Sequence, residues 1–334
     1  MYITSITRST GSPSQPMLSY PPPMPKNWPV LNQLVKIDGD FLKDPLITEA
    51  MTYIQSVVPQ SLLSIPPSTQ ILGNNVRYNS DPIKNCYWPA SGCTRLADTE
   101  FYKADYVKCP NDNDWGLTYD DGPSLATGNS SFDTSKIVTA LSKQNLKATF
   151  FVVGINTMIN QKELQATKLI GHQIGHHTWS HHPLTSLTNE QIVAEIKYTE
   201  AIIYKTIGVV PRHFRPPYGD VDDRVRAIVT ALGYRNIFWT TTAPQIRDSK
   251  DTVPPNRTES AITFVQNNVL SWLYPQPGFI SLQHDINTFT SKVAVKVLEK
   301  IPSNSVLKLQ PVGSCLGLAE KDWYVNEDAI SKPP

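Results

Sequence analysis

No run of residues in this chain is long and apolar enough to cross a membrane as a helix. Charge is scarce as well: 18% of the 334 residues are charged and the net charge is +1, which lacks the basic excess of a nucleic-acid binder. The same balance excludes an acidic, disordered chain and suits a neutral or mildly cationic polymer as partner. Met1–Ser5 has neither the basic end nor the apolar stretch of a signal peptide. If the protein is secreted or of the cell wall, as the cysteines and sequons below lead one to expect, its signal has been removed. Nor does Ser331–Pro334 offer the apolar tail of a lipid-anchor signal.

Cysteine is limited to four, which permits two disulfides in three connectivities or leaves four buried thiols. Cys86 and Cys93 flank a short, turn-rich segment, whereas Cys109 precedes the first core strand and Cys315 lies near the end of the chain. A bond between the latter two would staple the ends of a domain. Sequons at Asn129 and Asn256 lean towards a secreted glycoprotein.

With 40% hydrophobic residues, the chain can build one large core or two smaller ones. Residues 1–35 are rich in proline and serine and read as an extended tether. Residues 36–108 read as an accessory segment with short helices, such as Pro45 to Val58, and with no concentrated chemistry. From Cys109 the pattern becomes regular. Strands are predicted at Trp115–Tyr119, Ala148–Val153, Gln173–His176, His213–Arg215, Asn236–Trp239 and Phe279–Leu282. Helices alternate with them at Ser135–Lys143, Leu164–Ile170, Asn189–Ile207, Val221–Leu232, Ser260–Trp272 and Lys292–Lys300. Alternation of this kind implies an α/β fold with a parallel sheet, either open or closed into a barrel. Residues 319–334 read as a tail.

The polar clusters lie just after predicted strands, where parallel α/β folds carry their active sites. Asp120 and Asp121 end an apolar run and precede Gly122-Pro123. Adjacent carboxylates repel unless a cation or donor offsets them, although Asp-Asp-Gly-Pro is also good turn chemistry by itself. Five of the seven histidines fall between His172 and His182, and two of them, His177 and His181, stand four apart. Pro183 and Gly175 favour a loop or single turn there. One carboxylate and two imidazoles suffice to hold a catalytic metal, and the spare carboxylate can act as a base. His172, His176 and His182 are read as structural or supporting. His284 follows an apolar strand and has the titration range of a general acid.

Together these segments resemble the polysaccharide deacetylases of carbohydrate esterase family four, the NodB-homology enzymes, and most of all their fungal chitin deacetylase group. The resemblance covers residues 109–318. It rests on Thr118-Tyr119-Asp120-Asp121-Gly122-Pro123, His177-Thr178-Trp179-Ser180-His181, Arg215-Pro216-Pro217-Tyr218-Gly219 and Leu282-Gln283-His284. The resemblance implies a distorted parallel (β/α) barrel with an N-terminal accessory extension. It also implies that Asp121, His177 and His181 hold a divalent metal, zinc first and cobalt second. Asp120 would be the general base, kept ionised by Arg215, and His284 the general acid, tuned by Asp251. The backbone N–H of Tyr218 would stabilise the oxyanion, with Pro217 beside it, and Leu282 would line the acetyl pocket. The fourth motif departs from the family pattern: in Asp248-Ser249-Lys250-Asp251-Thr252, threonine replaces tryptophan. That change leaves the pocket more open.

The implied activity is hydrolytic deacetylation of N-acetylglucosamine units in chitin or partly acetylated chitosan by a monomer, with no nucleic-acid partner and no membrane span. The alternatives are a deacetylase of peptidoglycan or xylan, or a carbohydrate-binding protein on the same scaffold.

Overall fold

The computed structural model describes residues 21–243, 245–253 and 256–325. The expected tether thus lies outside the described residues up to residue 20, as does the expected tail beyond Val325. Helix α1 (Pro45–Val57) starts where Asp44 accepts from the Leu46 N–H and proline occupies the first turn. Its buried stripe, Leu46, Ile47, Ala50, Met51 and Ile54, has helical spacing.

The predicted strand at 115–119 is two ladders, β1 (Asp114–Gly116) and β2 (Thr118–Asp120). It divides at Leu117 because that residue serves two sheets: its N–H donates to Gln310 and its carbonyl accepts from Thr149. After α2 (Thr134–Lys143) come β3 (Thr149–Val152), α3 (Gln161–Leu169), β4 (Gln173–His176) and α4 (Asn189–Ile207). Next are β5 (His213–Phe214), α5 (Asp223–Ala231), β6 (Arg235–Asn236) and α6 (Glu259–Leu270). The series ends with β7 (Phe279–Ile280), α7 (Thr288–Leu298) and β8 (Lys308–Gln310).

Strands β2-β3-β4-β5-β6 form one parallel sheet and β7-β1-β8 another. The return from β6 to β2 runs through residues 279–285. Thr240 donates to Ile280, Leu282 to Arg247 and Asp120 to Gln283, and isolated parallel bridges join Asp120 to His284 and Asp248 to Leu282. Among the described residues no continuous ladder closes the circle. This is the distortion of the (β/α) barrel. β6 is shorter than predicted because beyond Asn236 the chain pairs outwards, Ile237 bridging to Tyr106 in the accessory segment.

One apolar cluster joins Ile37, Leu46 and Ile54 to Ile192, Val193 and Ile202 of α4 and to Ile228 of α5. Each such aliphatic burial contributes roughly 1.5–3 kcal/mol. The accessory segment therefore shares its core with the helices outside the sheet. A second cluster packs α2, α6 and α7 on β1, β3 and β7. The disulfides are Cys86–Cys93 and Cys109–Cys315, one of the three open connectivities. No helix among the described residues is long and apolar enough to cross a membrane.

Candidate metal centre and active site

Four of the candidate side chains stand at the carboxyl end of a strand, as the alternating pattern predicts. Asp120 ends β2 and Asp121 follows it; His177 follows β4; Arg215 follows β5. Asp121, Thr178, His181 and Tyr218 all have positive φ, at 76°, 67°, 61° and 60°. Each left-handed residue costs on the order of 1 kcal/mol, so the surroundings must impose the shape. For the loop carrying His177 and His181 the brace is Glu195 of α4. This fully buried carboxylate accepts from the Trp179 and Ser180 N–H groups, both at 2.8 Å, and from the Ser180 hydroxyl.

Asp121, His177 and His181 each turn one ligand atom inwards, all within 4.8 Å of one another. The Asp121 Oδ1 lies 3.2 Å from His177 Nε2 and 2.9 Å from His181 Nε2. Yet among the described residues this buried oxygen accepts no hydrogen bond. Ligand atoms about 2.1 Å from a tetrahedral ion lie roughly 3.4 Å from each other, so the set fits a small divalent cation. The imidazole geometry agrees. His177 Nδ1 lies 2.6 Å from the Arg215 carbonyl, which can only accept. Nδ1 therefore carries the proton and Nε2 presents its lone pair to the centre. Burial works to raise the Asp121 pKa, but the neighbouring His181 and His177 hold it well below the usual carboxylate range.

Asp120 Oδ1 receives Arg215 Nη1 at 2.8 Å. The guanidinium is fully buried and also donates to Thr118 Oγ1 and to the Ile237 and Phe238 carbonyls. Phe151 and Trp239 face it at 4.3 and 5.9 Å. A charge so enclosed orients Asp120 in one rotamer. His284 Nδ1 lies 2.7 Å from Asp251 Oδ1, while the His284 N–H donates to Asp251 Oδ2 at 2.9 Å. Burial opposes protonation of His284, but Asp251 outweighs it, with help from Asp121 and Asp120, and the pKa rises to about 10. The fourth motif thus delivers its carboxylate, and Thr252 lies exposed. Leu282 is buried two residues before His284, paired with Asp248, and Pro217 is buried ahead of Tyr218.

Three contributors escape a reading of the sequence. Asp285 is buried, accepts from Gly122 N at 3.0 Å and Thr134 Oγ1 at 2.6 Å, and so holds the turn after Asp121. Burial pushes its pKa up to about 7, and the charges of Asp121 and Asp120 add to this. Its place next to His284 was the only available signal. Glu195 lies in an amphipathic helix with nothing to mark it. The third is Asn74, from the segment where no chemistry was expected: its Nδ2 donates to Tyr218 Oη at 2.5 Å. His172, His176 and His182 stay out of the ligand set, engaged with Ala148 N, the Ile196 carbonyl and Ser180 Oγ. Gly219 is required where it stands: its φ is +65° and a Cβ would lie 2.3 Å from the Trp88 ring.

The sequence profile of the polysaccharide deacetylase family matches residues 107–237. Chitin deacetylase 1 of Cryptococcus neoformans var. grubii is 38% identical over 249 residues, which span 72% of this chain and 50% of that protein. The chitin deacetylase of a Pestalotiopsis species is 32% identical over 226 residues, or 65% of this chain and 68% of that one. Among solved structures, the chitin deacetylase of the fungal pathogen Colletotrichum lindemuthianum aligns with a TM-score of 0.55 at 25% identity. That alignment covers 66% of this chain and 95% of the other. The chain spans about half the length of the Cryptococcus relative.

Proposed function

Since the chain belongs to the polysaccharide deacetylase family, we propose that it removes acetyl groups from N-acetylglucosamine units of chitin or partly acetylated chitosan. The observation that carries this reading is the Asp121, His177 and His181 cluster, with Asp120–Arg215 and Asp251–His284 as flanking pairs. Asp121, His177 and His181 would hold a divalent ion, zinc before cobalt. When bound, that ion supplies Lewis acidity to the acetamide carbonyl and to the attacking water.

The remaining work falls to the chain's own side chains. Asp120, oriented by the Arg215 guanidinium at 2.8 Å, takes a proton from the attacking water. The Tyr218 N–H, with Pro217 shaping the turn, donates to the oxyanion as the carbonyl carbon becomes tetrahedral. Protonated His284 gives its proton to the leaving nitrogen. The C–N bond breaks, and acetate and a free amine are released. Leu282 offers an apolar contact for the acetyl methyl group. Chitin is favoured over peptidoglycan or xylan because both curated relatives described above are named chitin deacetylases. A binder without catalysis is disfavoured, since it has no use for the Asp251–His284 pair. Two disulfides and two exposed sequon asparagines support a secreted or cell-wall location.

The test is acetate release from chitin oligosaccharides and soluble chitosan, after chelation and again after zinc or cobalt is restored. Chelation should abolish release and metal should bring it back. No release from protein with its metal bound would remove chitin as the substrate.

A further inference from the structure

Residues 69–77 form a short antiparallel hairpin in the accessory segment, Thr69–Gln70 paired with Val76–Arg77. Its turn is braced from within: Ile71 N donates to Asn75 O at 2.9 Å, and Gln70 Nε2 to Gly73 O at 2.7 Å. Asn74 therefore occupies a defined position at the tip. The stem is tied down separately. Ser68 N donates to the Thr185 carbonyl at 2.8 Å and the two hydroxyls meet at 2.8 Å. Thr185 N in turn donates to Asp220 Oδ2 at 2.7 Å, and Tyr87 Oη donates to Asp220 Oδ1 at 2.9 Å.

Stem and tip thus reach the same short turn, residues 217–220, from two directions. Between them stands Tyr218. It is 44% exposed with φ at +60°, so neither burial nor regular structure fixes its ring. Its hydroxyl lies 3.0 Å from His181 Nδ1, and its ring meets the imidazole edge-on at 4.7 Å. If the phenol oxygen accepts the Nδ1 proton, Nε2 of His181 is left as the lone-pair nitrogen facing Asp121. Among the described residues only Asn74 tethers that phenol from the far side.

We propose that the hairpin 69–77 is a clamp on the metal site, with Asn74 a positioning residue that acts through Tyr218 on His181. The proposal rests on the ligand set given above. It assigns a function to a segment whose sequence announces none.

The experiment measures zinc affinity of the full chain by competition with a chromophoric chelator, together with the visible spectrum of the cobalt-loaded protein. Asn74→Ala should weaken zinc binding about 10-fold and change the cobalt bands, the size usual when a metal-ligating histidine loses its outer partner. Tyr218→Phe should do the same, and the double variant should be no weaker than Tyr218→Phe alone. The exposed Asn74→Ala variant should unfold at the wild-type temperature in the presence of chelator, which separates positioning from folding. Wild-type zinc affinity in Asn74→Ala, or effects that multiply in the double variant, would overturn the clamp while leaving the ligand set intact. His181→Ala is the control: undiminished zinc binding there would overturn the ligand set and the clamp together.

Discussion

His177 gives its Nδ1 proton to a carbonyl, whereas His284 shares its own with a carboxylate, and this difference divides their labour. The carbonyl fixes the His177 proton on Nδ1 and leaves Nε2 facing Asp121, whereas Asp251 holds His284 as a cation. The His284 pKa is raised above its unfolded value near 6.5 to about 10. Its contribution to stability is therefore full below pH about 6.5 and is lost as pH rises through about 10. Asp251→Asn removes the charge that outweighs burial. The alkaline limb of the kcat profile should then move to lower pH by a unit or more, with the acid limb in place; an unmoved alkaline limb would free His284 from Asp251. Asp120→Asn should lower kcat about 10²–10⁴-fold and leave zinc stoichiometry, read by elemental analysis, at its wild-type value. Undiminished turnover would take Asp120 out of the base role. These residues were legible in the sequence because strand ends and turn chemistry bring Asp120, Asp121, His177 and His181 together within short stretches of chain.

At the scale of elements, the strands supply positions and the helices behind them supply rigidity. α4 does both kinds of work, burying Ile192, Val193 and Ile196 in the core and aiming Glu195 at the histidine loop. Burial alone raises the Glu195 pKa, and three hydrogen bonds from the loop pull the other way. Glu195→Ala strands two buried N–H groups, each costing about 1–3 kcal/mol. Chemical denaturation should show a loss of about 3 kcal/mol, and the loosened loop should bind zinc more weakly. A stability loss with unchanged zinc affinity would show that the loop keeps its shape without this brace. Periodicity revealed the helix but could not mark Glu195, since a buried carboxylate on an apolar face has meaning only once its acceptor geometry is known. Strand limits were harder to read for a related reason. The divided run at Leu117 and the shortened β6 depend on Gln310 and Tyr106, each more than 100 residues away in sequence from its partner.

For the molecule as a whole, the two disulfides act on very different loops. Cys109–Cys315 spans 206 residues, whereas Cys86–Cys93 spans 7. In the chain-entropy account, the long loop is worth about 5 kcal/mol and the short one about 2. Cys109→Ser/Cys315→Ser should therefore lower the denaturation midpoint well beyond Cys86→Ser/Cys93→Ser; the reverse order would show that local geometry around Cys86, rather than loop closure, dominates. The short bridge has a further neighbour: the Cys86 and Cys93 carbonyls both accept from buried Arg226 of α5. The accessory segment is thus fastened by hydrogen bonds to Arg226 of α5 and, through Asn74, to Tyr218 of the candidate site, and by Ile37, Leu46 and Ile54 to the outer helices.

The sequence by itself determined the α/β alternation, the strand ends that carry chemistry, and the Asp120, Asp121, His177, His181, Arg215 and His284 set. The alternation and the strand ends follow from periods of two and 3.6 residues and from local turn residues, which act over a few positions of chain, whereas the membership of these residues in one set is what the family resemblance of their motifs implied. Tertiary structure alone decided which cysteines pair and that Asn74 reaches Tyr218 across 144 residues, and it sets Asp251 against His284, the contact the resemblance implied. Pairings of that kind are set by how sheets and loops pack in space. Their energies come from burial and hydrogen-bond geometry, which have no counterpart in the order of residues along the chain.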